Sequence, residues 1–199
     1  MNGYIVTMPR KIVVCYLRAD SSVLQDHILN RLAALMAPKY PNASGAPVVH
    51  VELFFPDEMD ESNGMSAGIC YGGQVFMHPK RFTRSHWEFH SVPVSNAQFL
   101  TARKFVETQR GGAFNTRGFF SPQICNVSPS TRIDSEHVAR QKWYCSELAA
   151  YTLRHSGVID NADAYEASGH PNATFHVVER CCDTFVDSAR NLAGTKLTL

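Results

Sequence analysis

The stretch Trp143-Tyr144-Cys145-Ser146-Glu147-Leu148 places a thiol at the start of an apolar-periodic segment that closes at Gly157. This spacing predicts a helix that contains Cys145 in its first turn, runs to about His155 and ends with Gly157 as its C-cap. The positive end of a helix dipole lowers the pKa of a thiol from its usual value of about 8.5. The backbone N–H of Cys145 would also be placed to donate to an oxyanion. The stretch therefore indicates a nucleophilic cysteine, with a buried small apolar residue as the alternative.

Far upstream, the run Val48 to Phe55 predicts a strand on which His50 and Glu52 share one face. The opposite, apolar face is predicted to hold Val49, Val51 and Leu53. The polar pair is either a solvated surface or a catalytic base with its carboxylate. Because residues two apart on a strand lie about 7 Å apart, Glu52 need not touch the His50 ring. The group that orients the imidazole would then come from the next strand, where the candidates are Ser66, Tyr71 and Gln74.

The remaining pattern predicts an α+β fold with a mostly antiparallel sheet, in a single domain over residues 1–199. Further strands are predicted at residues 11–17, at 65–77 (as one or two strands) and at 85–94. The capping boxes Ser22-x-x-Gln25 and Ser95-x-x-Gln98 each open a predicted helix, and a last helix is predicted over about Thr174 to Arg190. Between them, Ala113 to Gln141 is irregular and long, which is typical of a functional loop beside a cleft.

The composition excludes several classes of protein. Apolar residues make up 44% of the 199 residues, charged residues make up 19%, and the formal net charge is +1. This balance gives no indication of a nucleic-acid or anionic-membrane partner. The sequence has no apolar run long enough to span a bilayer and no secretory signal in residues 1–10. We therefore expect an intracellular, cytoplasmic protein.

The six cysteines are scattered, without a C-x-x-C pair. This favours free thiols in a reducing compartment over a disulfide scaffold or a zinc site. Cys15 and Cys70 lie in apolar, strand-like runs and are predicted to be small core residues. Of the adjacent Cys181 and Cys182, one is predicted to face the core and the other to face away.

The segment His86-Trp87-Glu88-Phe89-His90 predicts two imidazoles and a carboxylate on one strand face. That spacing is able to bind a divalent metal. A solvated polar face is the more economical interpretation, because no fourth ligand is evident nearby. No P-loop follows the glycine pairs. We therefore predict no metal and no cofactor, and a metal-dependent enzyme using His86, Glu88 and His90 remains an alternative.

Taken in order, four segments resemble the circularly permuted branch of the NlpC/P60 papain-like superfamily, which is related to lecithin–retinol acyltransferase-like proteins and poxviral homologues. The first is the His strand, His50-Val51-Glu52-Leu53, and the second is a glycine-bearing hairpin from Met65 to Val75. The third is Arg110-Gly111-Gly112-Ala113-Phe114-Asn115 and the last is Tyr144-Cys145-Ser146-Glu147-Leu148. The resemblance covers roughly Lys11 to Val178.

This resemblance implies a papain-like fold of permuted topology, packed as an antiparallel sheet against helices. It also implies a Cys–His hydrolase or acyltransferase with Cys145 as nucleophile, His50 as base and Glu52 as the third member. The substrate would be a peptide, another amide or an acyl lipid. The sequence lacks the Asn-Cys-Glu-His signature of phospholipid-acting relatives, which counts against a lipid acyltransferase. The sequence specifies neither the substrate nor the oligomeric state.

A non-catalytic module that binds a lipid or a peptide in the same cleft is the alternative from another functional class. The long loop from Ala113 to Gln141, with its aromatic residues Phe114, Phe119 and Phe120, favours that alternative.

Overall fold

The computed structural model describes residues 10–21, 47–82, 85–116 and 142–194, with side chains as far as Cys182. Within these ranges the chain forms a mixed α+β domain with five strands and four helices, so the predicted α+β class is confirmed. The strands are β1 Arg10–Arg18, β2 Val48–Pro56, β3 Gly64–Gly68, β4 Phe76–Pro79 and β5 Trp87–Val94. The helices are α1 Asn96–Gln109, α2 Cys145–His155, α3 Asn161–Ser168 and α4 Pro171–Gly194.

All the strand pairs are antiparallel, and the strands are arranged in the order β4-β3-β2-β1-β5. The main hydrophobic core joins the helices to one face of this sheet. Its strand residues include Ile12, Val14, Tyr16, Val51, Leu53 and Phe55, and its helix residues include Phe99, Leu148 and Phe175. A smaller cluster on the other face contains Val13, Cys15 and Phe54, flanked by Phe82, Trp87 and Phe89. β2 therefore lies at the centre of the sheet with side chains packed on both faces.

A β-bulge interrupts β2 immediately before His50. Leu17 pairs with His50, but the next residue of β1, Arg18, pairs with Val48, so Val49 is an extra residue. Val48 is fully buried in the main core, whereas Val49 is only half-buried. The prediction that Val49 faces the apolar layer is therefore wrong, while the predictions for Val51 and Leu53 are confirmed. The bulge is the physical reason, because one extra residue exchanges the faces of a strand.

The helix signals in the sequence are confirmed where the structure describes them. Ser95 and Gln98 form a complete capping box at the start of α1. α2 begins at Cys145 and ends at His155, and Gly157 has the positive φ of 71° that the predicted cap requires. The predicted helix after Ser22 and most of the predicted loop, with Phe119 and Phe120, lie outside the described residues.

The sequence prediction missed α3 and started α4 too late. Asp160 caps α3, accepting a hydrogen bond from the backbone N of Asp163 at 2.8 Å. α3 has only eight residues, which is too short for a clear apolar period. α4 begins at Pro171, three residues before the predicted start at Thr174. Proline is favoured at the first helical position, since its missing N–H would lack a partner there anyway.

Two of the cysteine predictions are wrong. Cys15 is fully buried as expected, but Cys70 lies beyond the end of β3 and is exposed. Cys181 and Cys182 are both half-buried and both pack against the main core. The five cysteines in the described ranges are free thiols. No helix of the described chain combines the length and the apolarity needed to cross a bilayer.

Candidate active site

The ladder between β2 and β3 brings His50 and Glu52 beside the chain that follows β3. Paired residues run from Pro56 with Gly64 to Leu53 with Ala67. The same register continued by one residue sets Gly68 opposite Glu52. A Cβ added at Gly68 would lie only 3.0 Å from Cγ of Glu52, so the chains remain adjacent beyond the last pair. Cys70 follows Gly68 by two residues, just beyond the end of β3.

The start of α2 is held in place by buried hydrogen bonds on both sides of Cys145. The indole Nε1 of Trp143 donates to Oε1 of Gln109, the last residue of α1, at 3.0 Å. The hydroxyl of Ser146 donates to the backbone oxygen of Ser168, at the end of α3, at 3.1 Å. All four of these residues are buried. The first turn of α2, and with it Cys145, is therefore fixed by α1 and α3.

The start of β2 is fixed in a similar way. The backbone N of Val48 donates to Oδ1 of Asn172, in the first turn of α4, at 2.9 Å. The backbone N of Asn172 in turn donates to Nδ1 of His170 at 3.1 Å. Burial lowers the pKa of His170 to about 4, so the neutral ring is able to accept this hydrogen bond. These contacts attach the strand that bears His50 to the helical layer.

His50 is the point at which the candidate residues meet. Its side chain is only 15% exposed, and its Nε2 lies 3.3 Å from Oε1 of Glu52. The ring also interacts electrostatically with the thiols of Cys145 and Cys70. Trp87 packs its ring edge-on against the imidazole, with 6.1 Å between the ring centroids. The structure thus brings together Cys145, His50 and Glu52, and adds Cys70.

Glu52 contacts His50 directly, although the strand spacing did not require it. Its carboxylate is almost fully buried and accepts a hydrogen bond from the Ser66 hydroxyl at 2.6 Å. Nζ of Lys80 donates to both carboxylate oxygens, at 2.7 and 2.8 Å. Of the other candidates, Tyr71 is exposed and packs its ring against Phe114. Gln74 pairs with Ala113 in an isolated bridge.

These contacts shift the pKa values of three groups. Burial disfavours the charged form of His50, but interactions with Cys145, then with Cys70 and Glu52, raise its pKa well above the ordinary value. Burial also disfavours ionised Glu52, yet His50 and then Lys80 lower its pKa to about 2. An interaction with His50 lowers the pKa of Cys70. The arrangement favours the imidazolium form of His50.

Comparison with protein-family models, with curated proteins and with solved structures found no match to this chain. The geometry of these residues is therefore the basis for a proposed function.

The histidines of the segment from His86 to His90, which was considered for metal binding, make other contacts in the structure. Nδ1 of His86 lies 3.0 Å from the hydroxyl of Ser21. The ring of His90 packs against that of Phe175 on α4, with 4.5 Å between the centroids. Glu88 and His90 are both half-buried, so this face is only partly exposed to solvent. Among the described residues, no group of three or more His, Cys, Asp or Glu side chains is placed to hold a metal ion.

Sequence reasoning missed two residues that contact the site, Cys70 and Lys80. The signal for Cys70 was present, since Ser66, Gly68 and Cys70 alternate along one side of the chain that follows β2. Lys80 carried no such signal. It follows β4, and its Nζ lies 4.7 Å and 4.6 Å from the ring centroids of Phe82 and Trp87. That position depends on tertiary packing.

Proposed function

We propose that this chain is a cysteine hydrolase of the permuted papain-like type, which cleaves an amide or another acyl bond. One observation supports this proposal above the others. The imidazole of His50 lies 3.3 Å from a buried carboxylate and interacts electrostatically with the thiol at the start of α2. This is the arrangement of a nucleophile, a base and an orienting group.

Each of the three residues has a distinct role in this proposal. Glu52 faces Nε2 of the ring. The raised pKa of His50 suits the ring to accept the thiol proton. Cys145, at the start of α2, is the nucleophile. Glu52 stabilises the imidazolium and fixes its orientation.

The proposed reaction has two steps, acylation of Cys145 and hydrolysis of the resulting thioester. The thiolate sulfur of Cys145 attacks the carbonyl carbon, and the π electrons of the carbonyl move to its oxygen. The backbone N–H of Cys145, at the start of the helix, is suited to donate to that oxyanion. The intermediate collapses, the C–N bond breaks, and the imidazolium gives its proton to the leaving nitrogen. His50 then accepts a proton from water, which attacks the thioester and releases the acid and the thiol.

The acceptor in the second step distinguishes two classes of enzyme. Water gives a hydrolase, and an amine or hydroxyl group of a second substrate gives a thiol-dependent acyltransferase. Both share the acyl-enzyme at Cys145, so the tests of the nucleophile apply to both. A peptide or a related amide is the proposed substrate class.

The nucleophile is tested by the pH dependence of iodoacetamide labelling at Cys145, measured by mass spectrometry of the labelled peptide. We expect labelling at neutral pH to depend on His50, so that His50→Gln slows it, because the thiol then lacks its base. His78→Gln, a histidine exposed on β4, is the matched control and should leave the labelling rate unchanged. Labelling at neutral pH that His50→Gln does not slow would contradict the proposal.

Turnover is tested separately, by profiling peptide and ester substrates for an acyl-enzyme trapped on Cys145. Wild-type protein should form the adduct and Cys145→Ala should not. If Cys145→Ala kept both ligand binding and cellular function, the chain would instead be a binding module.

A further inference from the structure

The connection between β4 and β5 joins the two edge strands of the sheet, and residues at its two ends meet over the central strand β2. Lys80 follows β4, and its Nζ donates to both carboxylate oxygens of Glu52 on β2, at 2.7 and 2.8 Å. Trp87 is the first residue of β5, and its ring packs edge-on against that of His50 on β2, with 6.1 Å between the centroids. The two ends of this connection therefore contact the carboxylate and the base of the candidate site.

The register of the sheet explains how Trp87 reaches His50 from two strands away. In β1, Leu17 pairs with His50 on one side and with Trp87 on the other. Directly opposed residues of antiparallel strands extend their side chains from the same face of a sheet. Adjacent strands lie about 4.8 Å apart, so an indole and an imidazole must together span about 10 Å, which they are long enough to do. The contact between the two rings is therefore set by strand pairing.

The same indole also contacts the ammonium of Lys80. Nζ of Lys80 lies 4.6 Å from the ring centroid of Trp87 and 4.7 Å from that of Phe82. The two rings pack edge-on against each other, with 4.9 Å between their centroids. A cation is attracted to the face of an aromatic ring, and most strongly to that of tryptophan. The two aromatic rings and the carboxylate of Glu52 therefore bind one ammonium between them.

We propose that Trp87 is a positioning residue of the candidate site. Its indole holds the ammonium of Lys80 and the imidazole of His50 so that both contact the carboxylate of Glu52. Its effect on the contact between Lys80 and Glu52 stands on the geometry alone. Its effect on the reactivity of Cys145 rests on the proposed function, because Trp87 acts there through His50.

The first measurement follows the carboxyl carbon of Glu52 by NMR through an acid titration, with the signal assigned from Glu52→Gln. In Trp87→Leu the midpoint should rise by about one pH unit or more, because an ammonium that is no longer held on the indole stabilises the ionised carboxylate less. Trp87→Phe keeps an aromatic ring and should stay near the wild-type midpoint. The other titratable groups that interact with this carboxylate are the same in each of these Trp87 variants, namely His50, Cys15 and Cys70.

The second measurement is the rate of iodoacetamide labelling at Cys145, at neutral pH and at about pH 10. At neutral pH, Trp87→Leu should slow labelling by about tenfold, because a displaced imidazole serves poorly as the base. Trp87→Phe should restore the rate. At about pH 10 a free thiol is ionised without a base, so wild type and Trp87→Leu should label at equal rates. A merely structural defect would change the labelling rate at both pH values.

Phe89→Leu is the matched control. It removes an aromatic ring from the same face of β5, two residues along the strand, where the ring packs against Phe82 with 5.8 Å between the centroids. It should reduce stability in urea and leave the Glu52 midpoint and the labelling rates unchanged. Trp87→Met is a second non-aromatic variant, with a more flexible side chain, and carries the same expectations as Trp87→Leu.

The outcomes separate this inference from the proposed function. Equal Glu52 midpoints in wild type and the two non-aromatic Trp87 variants would overturn the inference. Trp87 variants that label like wild type, although His50→Gln slows labelling, would also overturn it, and in that case the hydrolase proposal stands. If the Glu52 midpoint rises in the Trp87 variants while His50→Gln leaves labelling unchanged, the positioning of the carboxylate stands and the hydrolase proposal fails.

Discussion

Nζ of Lys80 donates to both carboxylate oxygens of Glu52, at 2.7 and 2.8 Å. The Glu52 side chain is only 3% exposed, and that of Lys80 is 26% exposed. A buried carboxylate without a positive partner is strongly destabilised, because water no longer solvates its charge. Lys80 therefore stabilises the residue that orients His50, although it does not belong to the proposed triad.

Lys80→Met removes that ammonium while keeping most of the length of the side chain. We expect the free energy of unfolding to fall by about 1–3 kcal/mol, less than for a fully buried pair because Lys80 is partly exposed. Urea unfolding at neutral pH measures the change. Lys11→Met is the matched control, since Lys11 pairs with Glu61 on the surface. There we expect a loss below about 1 kcal/mol. Equal losses in the two variants would contradict the role given to Lys80.

Glu52 should make the stability of the protein depend on pH in the acid range. Its pKa falls from an ordinary value of 4.5 to about 2 in the fold, mainly because His50 and Lys80 favour the ionised form over the cost of burial. A lowered pKa contributes stability that is present above pH 4.5 and is lost as pH falls toward 2. The loss should be about 2–3 kcal/mol. Urea unfolding between pH 2 and pH 5 should show a shallower slope in Glu52→Gln than in wild type. Parallel slopes would rule out the lowered pKa.

Asn172→Ala should affect both stability and the reactivity of Cys145. The buried backbone N of Val48 loses its acceptor, which costs about 1–3 kcal/mol. Because Val48 lies two residues before His50, the imidazole should also shift and iodoacetamide labelling at Cys145 should slow. Asn161→Ala removes an exposed partner of Arg154 and is the control. An Asn172→Ala variant that unfolds earlier but labels at the wild-type rate would show that this contact is structural only.

Gly68→Ala tests the close approach of β3 to Glu52. The added Cβ would lie 3.0 Å from Cγ of Glu52 and 3.1 Å from Cζ of Phe76, so both side chains must move. We expect a destabilisation of about 1–3 kcal/mol together with slower labelling of Cys145. Gly169→Ala is the control, since its Cβ would meet only the backbone oxygen of Glu166, at 3.5 Å. That variant should be neutral or slightly stabilised. Wild-type stability of Gly68→Ala would show that the space is larger than described.

Local signals predicted much of the fold. The capping box at Ser95 and the C-cap at Gly157 were readable because each depends on a few neighbouring residues. The position of Cys145 in the first turn of its helix was readable for the same reason. The bulge at Val49 was not readable, because it is defined by pairing with β1, far away in the sequence.

The contacts around Glu52 depended on the same kind of long-range information. Strand spacing alone left Ser66, Tyr71 and Gln74 as equal candidates for the residue that orients His50. In the structure the Ser66 hydroxyl donates a hydrogen bond to Glu52, and so does Nζ of Lys80. Lys80 reaches Glu52 because β4, which it follows, pairs with β3, and no local sequence pattern predicts that pairing. Cys70 was misinterpreted as a core residue because its apolar neighbours were weighed, whereas the strand ends at Gly68 and leaves Cys70 exposed.

Lys80, Glu52 and His50 form a row in which the buried carboxylate lies between an ammonium and an imidazole. The negative charge of Glu52 is offset within this row, so it produces little long-range field around the site. Raising the ionic strength should then leave labelling by neutral iodoacetamide almost unchanged, and should change labelling by anionic iodoacetate only slightly. A reagent would reach the sulfur by diffusion without electrostatic steering, and selection among substrates would fall to short-range contacts.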